Sequence, residues 1–299
     1  MRADGSPSRE GPPQFLVVGH VVQDLISEHG PAAWRLGGAA AYASTLARKL
    51  GLRTAVLTAA GPDLDLERLL PGTQCQVVSS ESSTRFRNVY GDGRRRQYLP
   101  QRAAALKVEH LPLEWRRTPI VLLGPVAGEV DDGLASCFPD SLLGVGAQGW
   151  LREVGPDAGV RPVPPGRWDA APILRQARAL FLSDEDVPPE DAPAALERWA
   201  TMVEIVAFTR GYGGADVCLR GEWRHVDAFP ARTVDPTGAG DVFAAAFLIR
   251  LWETDDVWEA TRFASSAASF VVEGEGMGAV PDRSQIEARL SRHPDIMAR

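Results

Sequence analysis

Thr233 to Leu251 read TVDPTGAGDVFAAAFLIRL: a short extended piece to Asp235, a turn at Pro236, a loop of small residues, then an apolar helix. Thr237 is placed to cap that helix, and Gly238, Ala239 and Gly240 leave its first N–H groups uncovered, so an anion can approach the backbone. A helix start of this kind favours a phosphate or an oxyanion. Asp241, in the first turn, suits the helix dipole but repels a bound phosphate. Both facts fit if Asp241 faces a second reactant and takes the proton of an attacking hydroxyl while the amides hold the phosphoryl group under attack. The simpler alternative is a capped amphipathic helix in which Asp241 serves only the dipole.

Composition narrows the classes. A chain of 299 residues can bury a large core, as one α/β domain or two small ones. The net charge of -7 argues against nucleic acid as a main partner. Lys49 and Lys107 are the only lysines, and the arginine bias suits bidentate phosphate contacts. Cys75, Cys137 and Cys218 are far apart and lack CxxC spacing, so reduced thiols in a cytoplasmic protein are expected, with neither a disulfide framework nor a zinc site. No apolar run approaches a membrane span and no signal peptide is visible. Residues 1–14, polar and rich in Gly and Pro, read as a disordered tail before a fold beginning at Phe15.

DPTGAGD followed by an Ala-rich apolar helix resembles the C-terminal signature of the ribokinase family, the PfkB carbohydrate kinases. The resemblance implies a doubly wound α/β/α sandwich with a small β lid, Asp241 as catalytic base and Gly238, Ala239 and Gly240 as the anion hole. Weaker matches follow in family order from about Phe15 to Leu290.

Phe15 to Val18 is a buried strand closed by Gly19, with no GxGxxG loop after it, which excludes a dinucleotide fingerprint. Asp24 matches the family's contact to substrate hydroxyls; a solvated loop carboxylate is the alternative. Gly37 and Gly38, ahead of a helix to Leu50, resemble the family's N-terminal Gly-Gly motif at the substrate, and a plain turn is the alternative. Arg53 to Leu57 supplies a second strand. Segments 26–36 and 83–102 match the lid, the second as a hairpin with a GDG turn and an arginine run, Arg94 to Arg96. Ile120 to Gly124 and Leu142 to Val145 are further buried strands, and the segment through Glu129 should edge a pocket.

Gln148 and Arg152 in a QGxxR-like string, with VGHxxxDLI and LGGAA, are similar to a branch of the family that includes inositol kinases. Pro156 to Pro172 reads as a loop, Ala171 to Ala179 as helix and Ala179 to Leu182 as strand. There the family carries N-x-x-E beside magnesium; here Ser183 and Asp186 stand at the matching ends, and Asp186 can still hold a hydrated ion. Thr209, Arg210, Gly211 and Gly214 match the T-x-G-x-x-G nucleotide loop, and Gly276 to Ala279 an adenine-side loop. Thr254 to Val272 reads as a second helix with Asp255 and Asp256 in its first turn.

The resemblance implies an ATP-dependent kinase, with Mg2+ and with a monovalent cation left open, acting on a hydroxyl of a small polyhydroxylated substrate, a cyclitol such as inositol favoured. A nucleoside kinase needs an aromatic wall that Trp34, Phe86 or Trp150 could supply. The degraded S-x-x-D keeps open a ligand-binding pseudokinase. No nucleic acid and no membrane are expected as partners. Open lid edges allow a homodimer.

Overall fold

The computed structural model describes residues 11–26, 33–91 and 94–299. Strand β1 (Phe15–Val18) shows why the chain forms layers. Phe15 and Val17 enter one core, Leu16 and Val18 another, because successive side chains leave a strand on opposite faces. A strand buried on both faces needs a continuous apolar run, as FLVV provides.

The main sheet has nine strands among the described residues. From one edge they are β15 (Glu222–Val226), β14 (Ala215–Leu219), β13 (Ile205–Thr209), β12 (Ala179–Ser183), β9 (Leu142–Gly146), β8 (Ile120–Leu123), β1, β4 (Thr54–Ala60) and β5 (Gln74–Ser79). All neighbours are parallel except β14 with β13 and β15. Helices α1 (Ala39–Lys49), α5 (Ala239–Thr254) and α6 (Val257–Val271) cover one face, with α7 (Arg283–Arg292) behind them. The other face carries the short α3 (Ala171–Leu174), α4 (Ala192–Ala200) and a cluster of Trp115, Phe138, Trp168 and Trp199; α2 (Leu66–Leu69) lies between β4 and β5. No described helix is long and apolar enough to cross a membrane.

From β1 the chain runs outward through β4 to β5, then returns to β8 and proceeds the other way. The reversal leaves a crevice at the C-terminal ends of β1 and β8, where open α/β sheets bind ligands. Gly124 lines it, and Gly19 lets the two strand ends close up there: a Cβ on Gly19 would lie 2.2 Å from the Gly124 carbonyl oxygen.

A second sheet stands over this crevice, in the order β3 (Trp34–Gly37), β2 (Val22–Leu25), β6 (Thr84–Gly91), β7 (Arg94–Gln101). Val22, Phe86 and Leu99 pack beneath it on Ala39, Val126 and Ala127. Parts of both expected lid segments, residues 27–32 and 92–93, fall outside the described residues. The outer edge of β7, expected to be open to a second chain, is taken in part by the protein itself. Leu99 N donates to the Ala158 carbonyl at 2.8 Å and Tyr98 bridges to Gly159.

Several expectations change. Residues 1–10 of the expected tail lie outside the described residues, but residues 11–14 are held: Gln14 N donates to the Arg53 carbonyl at 2.7 Å, and Arg53 N to Gln14 Oε1 at 3.1 Å. The expected loop from Pro156 contains half of a hairpin, β10 (Arg152–Val154) with β11 (Val160–Pro162). The helix expected to reach Ala179 is the single turn α3. Asp255, with φ 52°, caps the end of α5, and only Asp256 caps α6, accepting from Trp258 N at 2.8 Å. Cys137 and Cys218 are buried thiols.

Candidate active site

Helix α5 begins at the crevice without its expected Thr cap. Gly238, in the left-handed region at φ 82°, is the N-cap and offers no side chain. Asp235 orders the turn instead, its Oδ1 accepting from Thr237 N at 3.0 Å. Ala239 N is committed to the Pro236 carbonyl at 3.2 Å, so the anion hole expected from three amides loses one to the turn. Gly240 N and Asp241 N, in the first turn, precede any intrahelical acceptor. Gly238 is needed for packing as well, because a Cβ there would fall 2.4 Å from three ring atoms of Tyr42, a buried side chain of α1.

Asp241 lines a cavity of about 260 Å³ whose walls also carry Asp24, Gly38, Gln148, Arg152 and Asp186. Desolvation pushes its carboxyl from the ordinary 3.8 up to about 7; Arg152 pulls it down, while Asp186 and Asp24 add to the rise. Ser183 and Asp186 bind each other: Asp186 Oδ2 accepts from Ser183 N at 2.8 Å and from Ser183 Oγ at 2.9 Å. The other oxygen, Oδ1, is buried with no hydrogen-bond partner among the described residues, 3.8 Å from Arg152 Nη2. Ser183 therefore holds Asp186 in place. No three His, Cys, Asp or Glu among the described residues gather as a metal cage.

The wall of the first cavity that carries Asp24 is built by strand pairing. Asp24 on β2 stands opposite Arg35 on β3, and a Cβ on Gly37 would lie 2.0 Å from Asp24 Oδ2. Gly37 thus makes room for the carboxylate rather than lining the cavity. Gly38, at φ 85°, faces the His20 carbonyl, 2.5 Å from an added Cβ. Sequence reasoning read Glu129 only as the end of a pocket edge. It is buried and accepts from His20 N at 3.0 Å, Val126 N at 2.9 Å and Ala127 N at 2.7 Å, fixing the loops after β1 and β8 together. His20, also buried, donates through Nε2 to the Ala104 carbonyl at 2.9 Å and accepts from Thr84 Oγ1 at 2.7 Å, which ties the base of the small sheet to the large one.

A second cavity, of about 430 Å³, opens on the other side of the α5 N-terminus. Thr209, Gly211, Ala239 and Gly240 border both cavities, and Gly214 lines the second. Phe229, Pro230, Phe243 and Ala268 make it largely apolar, with the fully exposed Tyr212 at its rim. Arg210 is not with them: its Nε is 2.7 Å from Asp216 Oδ2 and its guanidinium stacks on Phe208, facing away. Gly276 and Ala279 border neither cavity, because their turn packs on α1 and β3, with Thr45 Oγ1 3.7 Å from Met277 Sδ.

Comparison with known proteins agrees with this architecture. The model of the pfkB family carbohydrate kinase matches residues 175–283. Ribokinase of Bacillus subtilis (strain 168) is 46% identical over 67 residues, 22% of this chain, and the match spans only 23% of that protein's length. Inositol 3-kinase of Oryza sativa subsp. japonica is 29% identical over 283 residues, covering 86% of this chain and 68% of the relative. A pyrophosphate-dependent kinase in the ribokinase family, solved with a pyrophosphate analog and myo-inositol, superposes with a TM-score of 0.74 at 21% identity, over 92% of this chain and 99% of that one. It shares the fold.

Proposed function

Because the chain belongs to the pfkB family of carbohydrate kinases, we propose that it transfers the terminal phosphoryl group of ATP to a hydroxyl of a small polyol, a cyclitol such as inositol in preference to a sugar. The observation that carries this reading is the place of Asp241, at the foot of a helix N-terminus with a polar cavity on one side and an apolar one on the other.

Asp24, Gln148 and the Gly38 backbone hold the acceptor's hydroxyls on this reading. Asp241 accepts the hydroxyl proton as the acceptor oxygen bonds to the terminal phosphorus and the bond from that phosphorus to the bridging oxygen breaks, releasing ADP. The amides at the start of α5 stabilise charge on the moving group's oxygens. The small sheet serves as a lid, excluding water from the acceptor. Asp24, Asp184, Glu185, Asp186 and Asp241 line the first cavity against one guanidinium, that of Arg152. A triphosphate among five carboxylates needs added positive charge, so Mg2+ fits, and Asp186, whose buried Oδ1 has no hydrogen-bond partner among the described residues, would help to hold it. Bound there, it would supply neutralisation of the phosphates. A monovalent cation near the turn would compete with Arg35 for Asp235 and Glu275.

Asp241 acts as a base only when ionised. With its carboxyl at about 7, activity should fall as pH drops through neutrality. Arg152 favours the ionised form, so Arg152→Met should move this acid limb upward by roughly one pH unit. Paired pH–rate profiles check it, and an unmoved limb removes Arg152 from the role.

The donor is argued from the second cavity. Pyrophosphate needs the anion site alone, whereas a base needs an apolar chamber beside it, and about 430 Å³ is ample for a purine. A nucleoside acceptor is less well served: Trp150 stacks on Trp168 outside the first cavity, and of the three aromatic candidates only Phe86 lines it. A test measures product formation from ATP or pyrophosphate, with Mg2+, across cyclitols, hexoses, pentoses and nucleosides. Turnover of a cyclitol with ATP is expected. Turnover with pyrophosphate alone rejects the donor, and nucleosides alone reject the acceptor. Tight ATP binding without turnover would favour a pseudokinase.

A further inference from the structure

Arg35 falls in the lid segment 26–36 without belonging to a named motif, yet it joins three elements. It lies on β3, opposite Asp24 and two residues from Gly37, so it shares the strand face that shapes the Asp24 carboxylate's place. Its Nη1 is 3.2 Å from Asp235 Oδ2 and its Nη2 3.0 Å from Glu275 Oε2. The other Asp235 oxygen accepts from Thr237 N at 3.0 Å, inside the turn that starts α5. The backbone of that turn is pinned from behind, Val234 N and Asp235 N donating to the Val272 carbonyl at 2.7 and 3.2 Å. Asp235 is thus shared, one oxygen ordering the turn and the other held by the small sheet.

We propose that Arg35 is a positioning residue for phosphoryl transfer, seating the small sheet on the phosphate-holding turn through Asp235. The assignment rests on the kinase reading for its catalytic consequence and on the bridge itself for its mechanism. A guanidinium can bridge two carboxylates from fixed directions, which an ammonium cannot do with the same geometry. The bridge fixes how far the acceptor-side carboxylate, Asp24, stands from the amides that hold the phosphoryl group. It also offsets one of the two negative charges of Asp235 and Glu275 next to a site for a polyanion.

The test compares the full native chain with Arg35→Ala and Arg35→Lys. On an acceptor that the native protein phosphorylates, Arg35→Ala should lower kcat by roughly 10- to 100-fold, since small misplacements of reacting groups cost about that much. The donor KM should move far less. Added guanidinium ion should restore part of kcat, and potassium chloride at equal ionic strength should not. Arg35→Lys should fall between. Independently of turnover, hydrogen exchange at the Thr237 amide should quicken in Arg35→Ala while the interior of α5 stays protected. Native kcat in Arg35→Ala, equal rescue by potassium, or unchanged exchange at Thr237 would each overturn the proposal. If the native chain phosphorylates nothing, the kinase reading fails, and the exchange experiment still decides whether Arg35 orders the turn.

Discussion

Asp241→Asn is expected to lower kcat by ~10²- to 10⁴-fold at saturating acceptor, with little change in KM, and to raise the thermal unfolding midpoint at the same time. The amide has the carboxylate's shape but cannot take the hydroxyl proton. The stability gain follows from the environment. Burial raises the folded-state carboxyl from 3.8 to about 7, so the folded chain binds this proton more tightly than the unfolded chain does. Below about pH 4 the group is protonated in both states and contributes no penalty. As pH rises from there to 7 the unfolded chain ionises first, and above 7 the folded state carries the cost of a charge that is only partly exposed in the cavity wall. Replacing the carboxylate should therefore stabilise the protein by roughly 1–3 kcal/mol at pH 8 and by almost nothing at pH 4. Calorimetry at the two pH values, beside initial rates, reads both effects. Full turnover by the variant would remove Asp241 as the base. An unchanged midpoint at pH 8 would mean that water screens the carboxylate.

The order of buried strands was legible because each is a short apolar run closed by Gly or a polar turn, as at Phe15–Val18 and Ile120–Leu123. Strand β5 was not, since QCQVVS lies at a sheet edge, half in solvent, and carries no continuous apolar run. Helix α4 was legible in principle, since Ala192, Ala195, Leu196 and Trp199 fall at helical spacing on one face and Pro193 is tolerated in a first turn. At the site, DPTGAGD located the turn and Asp241, but the turn's internal wiring was hidden. Thr237 looks like a cap in sequence, and only the left-handed Gly238 and the carboxylate of Asp235 show why it is not one. Arg210 was singled out by its neighbours in the chain, and Asp216 on the paired strand draws it away. Arg35 was passed over for the converse reason: its partners lie about 200 and 240 residues on, and pairwise contacts across that separation leave no periodicity to read.

Gly238→Ala should damage both the fold and turnover, and Gly240→Ala, two residues on, shows why. Gly238 has φ 82°, a conformation that costs a non-glycine residue ~1 to 2 kcal/mol. Its Cβ would also fall 2.4 Å from Cδ1, Cε1 and Cζ of Tyr42, whose ring is buried between α1 and α5 and has no solvent to retreat into. Either α5 moves out or the ring turns, and both displace the amides at the helix start. A lost donor at such a site costs ~10²- to 10³-fold in kcat. The variant should therefore lose both stability and turnover. Gly240 has no heavy atom within 4 Å of an added Cβ and no positive φ. Gly240→Ala should keep the native unfolding midpoint, and its methyl would project where the backbone borders both cavities, so any loss of rate there reports on approach of the phosphate alone. Adding Tyr42→Ala to Gly238→Ala removes the clash but leaves the strained φ, and should return part of the rate. If the double variant is no faster than Gly238→Ala, the backbone conformation, and not the ring, is what Gly238 protects.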